Sequence, residues 1–328
     1  MIPRNLQISN RFRRRNRLTL FKSETYTGRM TDRRLVVAAL LLAAVTIGWP
    51  GGLAAQAIQR ALYVSVLNEA GTPVPDLGVT DFIVREDNMA REVLRVEPAA
   101  EPMQIAVLVD NSTAARDYVS HIRSALPVFV ATMTEGVDGP KNEIAIIAIG
   151  ERPTILAEYT TNRAALQKGI DRIWSLRDTG AYLLDGIIEV CQGLKKREAG
   201  RPVIIALTAE GPELSNRQHD QVIDPLRASG AALYTIAIGR PSGSLSDEAR
   251  ERNMVLDEGP RITGGRRDEI LTSMAVAPTL KQISTELLHQ YRVTYARPNT
   301  LIPPERVTVA AAKPGLTARG TLIKEPRK

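Results

Sequence analysis

A single cysteine, Cys191, stands in a chain of 328 residues. That excludes an internal disulfide and a cysteine-based zinc site. Cys191 falls in the helical stretch Ile187–Lys196 and reads as a buried, inert thiol. Aromatic residues make up 4%, so the core must rest on Ala, Val, Ile and Leu. The three histidines, His121, His219 and His289, lie far apart and show no ligand spacing. Each reads as a surface or helix-face residue. The chain has no G-x-S-x-G elbow, no G-x-x-x-x-G-K-[ST] phosphate loop and no G-x-G-x-x-G after a strand. The commonest hydrolase, nucleotide and dinucleotide chemistries thus have no anchor.

A basic excess is also missing where a nucleic-acid binder would need it. The whole chain carries +7, but residues 1–34 hold ten Lys/Arg against Glu24 and Asp32. Taking that local +8 from the total leaves −1 for everything after residue 34. No nucleic-acid partner is implied.

What the N-terminus does have is an uncharged apolar run, Leu35–Gly48, preceded by Arg33-Arg34 and broken by Trp49-Pro50. Small residues with an Ala55-x-Ala57 pattern follow. That order is a secretory signal, with Met30 read as its start. The run is short for a membrane-spanning helix, which needs about 20 residues. The expectation is export to the periplasm or beyond. The alternative is an inner-membrane anchor over residues 35–49, which would be the chain's only membrane contact.

The remainder divides by pattern. Residues 1–57 are leader, and 58–100 form a small β-rich unit with a turn at Asp87-Asn88. Residues 101–245 form an α/β core, and 246–328 add helices and strands that complete both. In the core, Gln104–Val109, Glu143–Ile149, Pro202–Leu207 and Ala231–Ile238 are continuous apolar runs, as expected of strands buried on both faces. Pro153–Tyr159 reads as an antiparallel strand beside the second run. Helical spacing falls between the strands, at 116–133, 163–173, 181–194 and 218–229. The fold class is therefore α/β, a doubly wound, mostly parallel sheet with helices on both faces and a small β-rich accessory unit. The tail reads as helices at 247–257 and 278–288 and strands at 290–296 and 306–311. Trp174 and the Tyr291/Tyr295 pair read as core or strand residues, and the Arg266-Arg267 pair as a solvated face.

Ligands of such sheets bind beyond the carboxyl ends of the strands. Three polar groups fall there: Asp110-Asn111-Ser112-Thr113-Ala114, Thr179-Gly180, and Thr208-Ala209-Glu210-Gly211. A carboxylate with hydroxyls suits a hard cation that takes oxygen ligands and keeps waters. Read without a cation, Asp110 and Ser112 brace their loop and Thr179 caps the next helix.

At these residues the chain resembles the von Willebrand factor type A family, specifically its exported bacterial subgroup. DLGVTDFIVREDN (76–88), TGGR (263–266) and ELLHQYRVTYARP (286–298) add to the likeness, which covers about residues 60–315. The resemblance implies a metal-ion-dependent adhesion site, Asp-x-Ser-x-Ser with a Thr and a later Asp. Asp110, Ser112 and Thr179 match it. Ala114 replaces the second serine, and Glu210 stands near the late Asp, with Ala209 as the other alignment. It further implies Mg2+ or Mn2+ as the cation and a protein partner offering a carboxylate. With one hydroxyl missing and one acid altered, the site is expected to be impaired. The expected role is a non-catalytic protein-binding or scaffold module. One alternative is a working Mg/Mn-dependent adhesion module. The other is a metal-dependent hydrolase using Asp110, although phosphatases of that type carry a second Asp where this chain has Ser112.

Overall fold

The computed structural model describes residues 58–135, 142–240, 246–299, 302 and 304–323. The apolar run at 35–48, and with it the signal or anchor reading, lies outside them. Four strands open the described chain: β1 (Ile58–Leu67), β2 (Phe82–Glu86), β3 (Met89–Arg91) and β4 (Val93–Pro98). Asp87 and Asn88 turn between β2 and β3 with φ of 46° and 68°, the left-handed region that Asp and Asn tolerate. Alternation follows: β5 (Gln104–Val109), α1 (Arg116–Thr134), β6 (Glu143–Ala148), β7 (Thr154–Thr160), α2 (Arg163–Asp171), α3 (Leu183–Lys196). Next come β8 (Pro202–Ala209), α4 (His219–Ser229), β9 (Ala232–Ile238), α5 (Asp247–Thr263) and β10 (Arg266–Ile270). The chain closes with α6 (Val276–Leu288), β11 (Tyr291–Arg297), β12 (Val307–Ala311) and β13 (Thr317–Leu322). Among the described residues no helix is long and apolar enough to cross a membrane.

The central sheet has the order β10-β9-β8-β5-β6-β7. All neighbours are parallel except β6 and β7, which are antiparallel. Side chains alternate across a strand, and here each face has its own apolar core. Ile105, Val107 and Val109 of β5 join Val119, Ile122 and Leu126 of α1 and Leu280 and Ile283 of α6. Ala106 and Leu108 join Leu184, Ile187 and Cys191 of α3 and Leu256 of α5 on the opposite face. That two-sided burial is why the strands read as unbroken apolar runs. Cys191 is buried, as expected.

Seven further strands form two antiparallel sheets, β13-β1-β11-β4 and β12-β2-β3. Their shared core holds Leu62, Val64, Phe82, Val84, Val293 and Tyr295. Phe82 meets Tyr291 edge-on at 5.7 Å. The accessory unit therefore takes strands from both flanks of the α/β core. It is tied to that core by the buried Glu286 carboxylate of α6, which accepts from Tyr234 of β9 at 3.0 Å and from Arg319 of β13 at 2.7 Å.

Two expectations need correction. Helix α5 runs to Thr263, beyond the end expected at 257. Gly259 lies where a Cβ would stand 2.8 Å from Leu233 Cδ2, so its missing side chain lets the helix settle on β9. Immediately after it, the charged Arg266–Ile270 is an edge strand, β10. Arg266 is largely buried and pairs with Asp268 at 2.8 Å and Glu286 at 3.5 Å, so it is not part of a solvated face. The TGGR segment needs its glycines here. Gly264 ends α5 at φ 74°, and a Cβ on Gly265 would stand 1.8 Å from the Leu233 carbonyl oxygen.

Candidate functional site

The chain leaves β5 for β6 on one side and returns to β8 on the other, so the strand order reverses at β5. Such a switch point opens a crevice at the strands' carboxyl ends. Asp110 stands in it. Its Oδ1 accepts the Ser112 N–H and its Oδ2 the Ala209 N–H, both at 2.9 Å. Its own N–H donates to Leu207 O at 2.8 Å. One buried carboxylate thus fixes its own loop and the tip of β8.

Asn111, buried beside it, does as much. Its Oδ1 accepts the Gly150 N–H after β6, and its Nδ2 donates to the Trp174 carbonyl, both at 2.9 Å. The Leu176 N–H reaches the Asn111 carbonyl at 2.8 Å, and the Thr179 N–H reaches Thr113 Oγ1 at 3.0 Å. The loop carrying Ser112 and the loop carrying Thr179 are therefore locked together. On them, the Ser112 and Thr179 hydroxyls are buried and have no hydrogen-bond partner. Buried polar atoms without partners are uncommon and costly.

Thr179 does not cap a helix. α3 begins at Leu183, and its entry is held by the 209–215 loop. Glu213 accepts the Leu183 N–H at 3.4 Å, and Ser215 Oγ accepts the Asp185 N–H at 3.1 Å. Burial pushes the Glu213 carboxyl up to about 7, against the lowering effect of its bonds to Ser215 and of nearby Arg252.

Glu210 is committed elsewhere. Its Oε2 accepts Arg252 Nη2 of α5 at 2.6 Å. The same guanidinium donates to Gly211 O at 3.1 Å and Ala209 O at 3.4 Å. Ala114, in the place of a second serine, fills its corner with a methyl: a Cβ on Gly211 would stand 2.4 Å from Ala114 Cβ.

A hard cation asks for oxygen donors that are not already spent. Asp110 has used two of its roughly four acceptor positions, and the Ser112 and Thr179 hydroxyls have used none. These three fit magnesium or manganese, which retain waters in their remaining positions. Glu210 does not fit, because recruiting it would strand a buried guanidinium. The hydroxyl at 114 is replaced by a packed methyl.

Around the crevice the surface is apolar in part. Trp174 is 62% exposed and Leu214 46%, which overturns the core reading of Trp174. Arg123 stacks over the indole at 4.2 Å. Tyr291 and Tyr295 are buried strand residues, as expected. His219 pairs with Glu251 and Asp220 at 2.9 and 2.7 Å, while His121 and His289 are exposed. Sequence reasoning misses Arg252, Asn111 and Glu213 as organisers of the site. Only Asn111, next to Asp110, carries a local signal.

No protein-family profile matches this chain, and no curated protein matches it in sequence. Solved structures that it resembles include von Willebrand factor type A domains, bacterial ones among them. One is a von Willebrand factor type A protein from Catenulispora acidiphila, at 11% identity over 83% of this chain and 73% of that one, with TM-score 0.47. Proximal thread matrix protein 1 from the mussel byssus, with a zinc-occupied MIDAS motif, shares 15% identity over 65% of this chain and 50% of its own, with TM-score 0.47. The vWF domain of the type V pili tip protein Mfa5 from Porphyromonas gingivalis shares 11% over 57% and 95%, with TM-score 0.41. The match spans half of the mussel chain. At these identities no ligand or partner is carried across.

Proposed function

We propose that this chain is an exported, non-catalytic protein-binding or scaffold module of von Willebrand factor type A-like architecture. Its binding face is the crevice beyond β5 and β8. The observation that carries the reading is the combination of a braced polar floor with exposed Trp174 and Leu214 at its rim. Exposed aromatics beside desolvated polar groups are typical of protein interfaces. Neither carboxylate of the floor is free of structural partners. Both Asp110 oxygens already hold backbone N–H groups, and Glu210 is ion-paired. This argues against the hydrolase reading. The partner is a protein and not a nucleic acid, since the chain after residue 34 has no basic excess. Export rests on the sequence order at 33–57, with anchoring by residues 35–49 as the alternative.

A second reading, a magnesium- or manganese-dependent adhesion module, is favoured by the two unpartnered hydroxyls. Asp110, Ser112 and Thr179 would hold the cation, which when bound supplies an open position for a partner's carboxylate.

The test is crosslinking of the exported protein in its native host, comparing the wild type with Trp174→Ala and Thr179→Arg. A protein retained by the wild type and lost with both variants supports the binding face. Retention by all three, or by none, sinks it.

A further inference from the structure

The guanidinium of Arg252 is 1% exposed, and its neighbours all belong to the third loop of the crevice or to its own helix. Nη1 donates to the carbonyls of Ala209 and Gly211, and Nη2 to the Glu210 carboxylate. Ala209 is thus braced from two sides: its N–H by the anion Asp110 and its carbonyl by the cation Arg252. The loop is shaped by charges the chain itself supplies. Arginine suits the task because its fork is planar, always charged and rich in donors.

We propose that Arg252 is a built-in cation. It gives the 209–211 loop and Glu210 the positive charge that a divalent ion would otherwise bring, so the binding face stands assembled without metal. The inference rests on the reading of the crevice as the binding site, but its test needs no partner. A metal drawn toward Glu210 would have to displace a guanidinium whose remaining acceptors, the Ala209 and Gly211 carbonyls and the Asn253 amide, are all neutral. The 209–211 loop should therefore keep its shape equally well in chelator and in magnesium.

The test uses the full chain, with manganese as probe. Free Mn2+ is followed by electron paramagnetic resonance, and unfolding is followed with EDTA or with metal. The wild type should leave the manganese signal unchanged below about millimolar protein and metal, and unfold at the same midpoint in both. Arg252→Met frees Glu210 and should bind Mn2+ about tenfold or more tighter than the wild type, a gain lost in Arg252→Met/Glu210→Gln. If Arg252→Met does not fold, Glu210→Gln in the wild-type background decides. It should lower the midpoint by about 5 °C or more in EDTA, with no rescue by manganese. Micromolar manganese binding by the wild type overturns the proposal. So does a folded Arg252→Met that binds no tighter, or a Glu210→Gln midpoint that does not move. Loss of partner crosslinking with these results intact would sink the binding-face reading alone.

Discussion

Asp110 Oδ2 accepts the Ala209 N–H at 2.9 Å, joining two strands that are adjacent in the sheet and 99 residues apart in sequence. Because Oδ1 holds the Ser112 N–H, the carboxylate is a structural brace whether or not a cation is present. Asp110→Ala removes the acceptor from two buried donors, each costing about 1–3 kcal/mol. We expect a loss of roughly 2–5 kcal/mol by urea unfolding in EDTA. Asp110→Asn, which keeps one acceptor oxygen, should lose about half as much. An Asp110→Ala protein as stable as the wild type in EDTA would show that the brace carries no weight.

Two glycine substitutions of opposite sign test the seat of α5. A Cβ on Gly265 would overlap the Leu233 carbonyl, whereas Gly193, inside α3, has nothing within 4 Å. Gly193→Ala should stabilise by about 0.5–1 kcal/mol through helix propensity. Gly265→Ala must push α5 and β10 away from β9 and should cost about 3 kcal/mol or more. Thermal unfolding of the two side by side checks the ordering. Equal midpoints would contradict the packing described for the TGGR segment.

The α/β alternation is legible because strands buried on both faces leave unbroken apolar runs, as in Gln104–Val109 and Pro202–Leu207. β7 is legible from its place directly after the second apolar run and a turn. β10 is not, because an edge strand whose charges are paired, as Arg266 with Asp268, has no apolar signature. Asp110, Ser112 and Thr179 stand out by their positions at strand ends. Arg252 is invisible: it sits mid-helix in a charged segment, 42 residues from Glu210. Only packing α5 against the sheet brings the two together. Trp174 misleads for a related reason, since an isolated aromatic in a loop does not announce which way it faces.

Trp174 contributes little to the fold, since its exposed ring rests mainly on Arg123. Such an exposed cation–π pair is worth about 0.5–1 kcal/mol. Trp174→Ala should therefore unfold within about 1 kcal/mol of the wild type while losing partner crosslinking. A larger loss of stability would mean the ring supports the 172–182 loop, and its use as evidence for a binding surface would fall.

Glu213 makes the binding loop sensitive to pH. Its carboxyl is raised from 4.5 to about 7 by burial, so the folded state holds a proton that the unfolded chain gives up. The unfolded state binds fewer protons across this window, and stability falls as pH rises through it. The contribution is fully present below about pH 4.5 and is lost as pH rises through about 7. A tenfold change in proton affinity corresponds to about 1.4 kcal/mol, so the effect is on the order of a few kcal/mol. Glu213→Gln is neutral throughout and keeps an acceptor oxygen for the Leu183 N–H. It should match the wild type near pH 5, unfold later than the wild type at pH 8, and show a flatter profile between. Unfolding midpoints at half-unit steps of pH would show this. A wild type that gains stability from pH 5 to 7 relative to Glu213→Gln would mean that the carboxylate is held charged by Arg252 and the entry to α3, with burial the lesser influence.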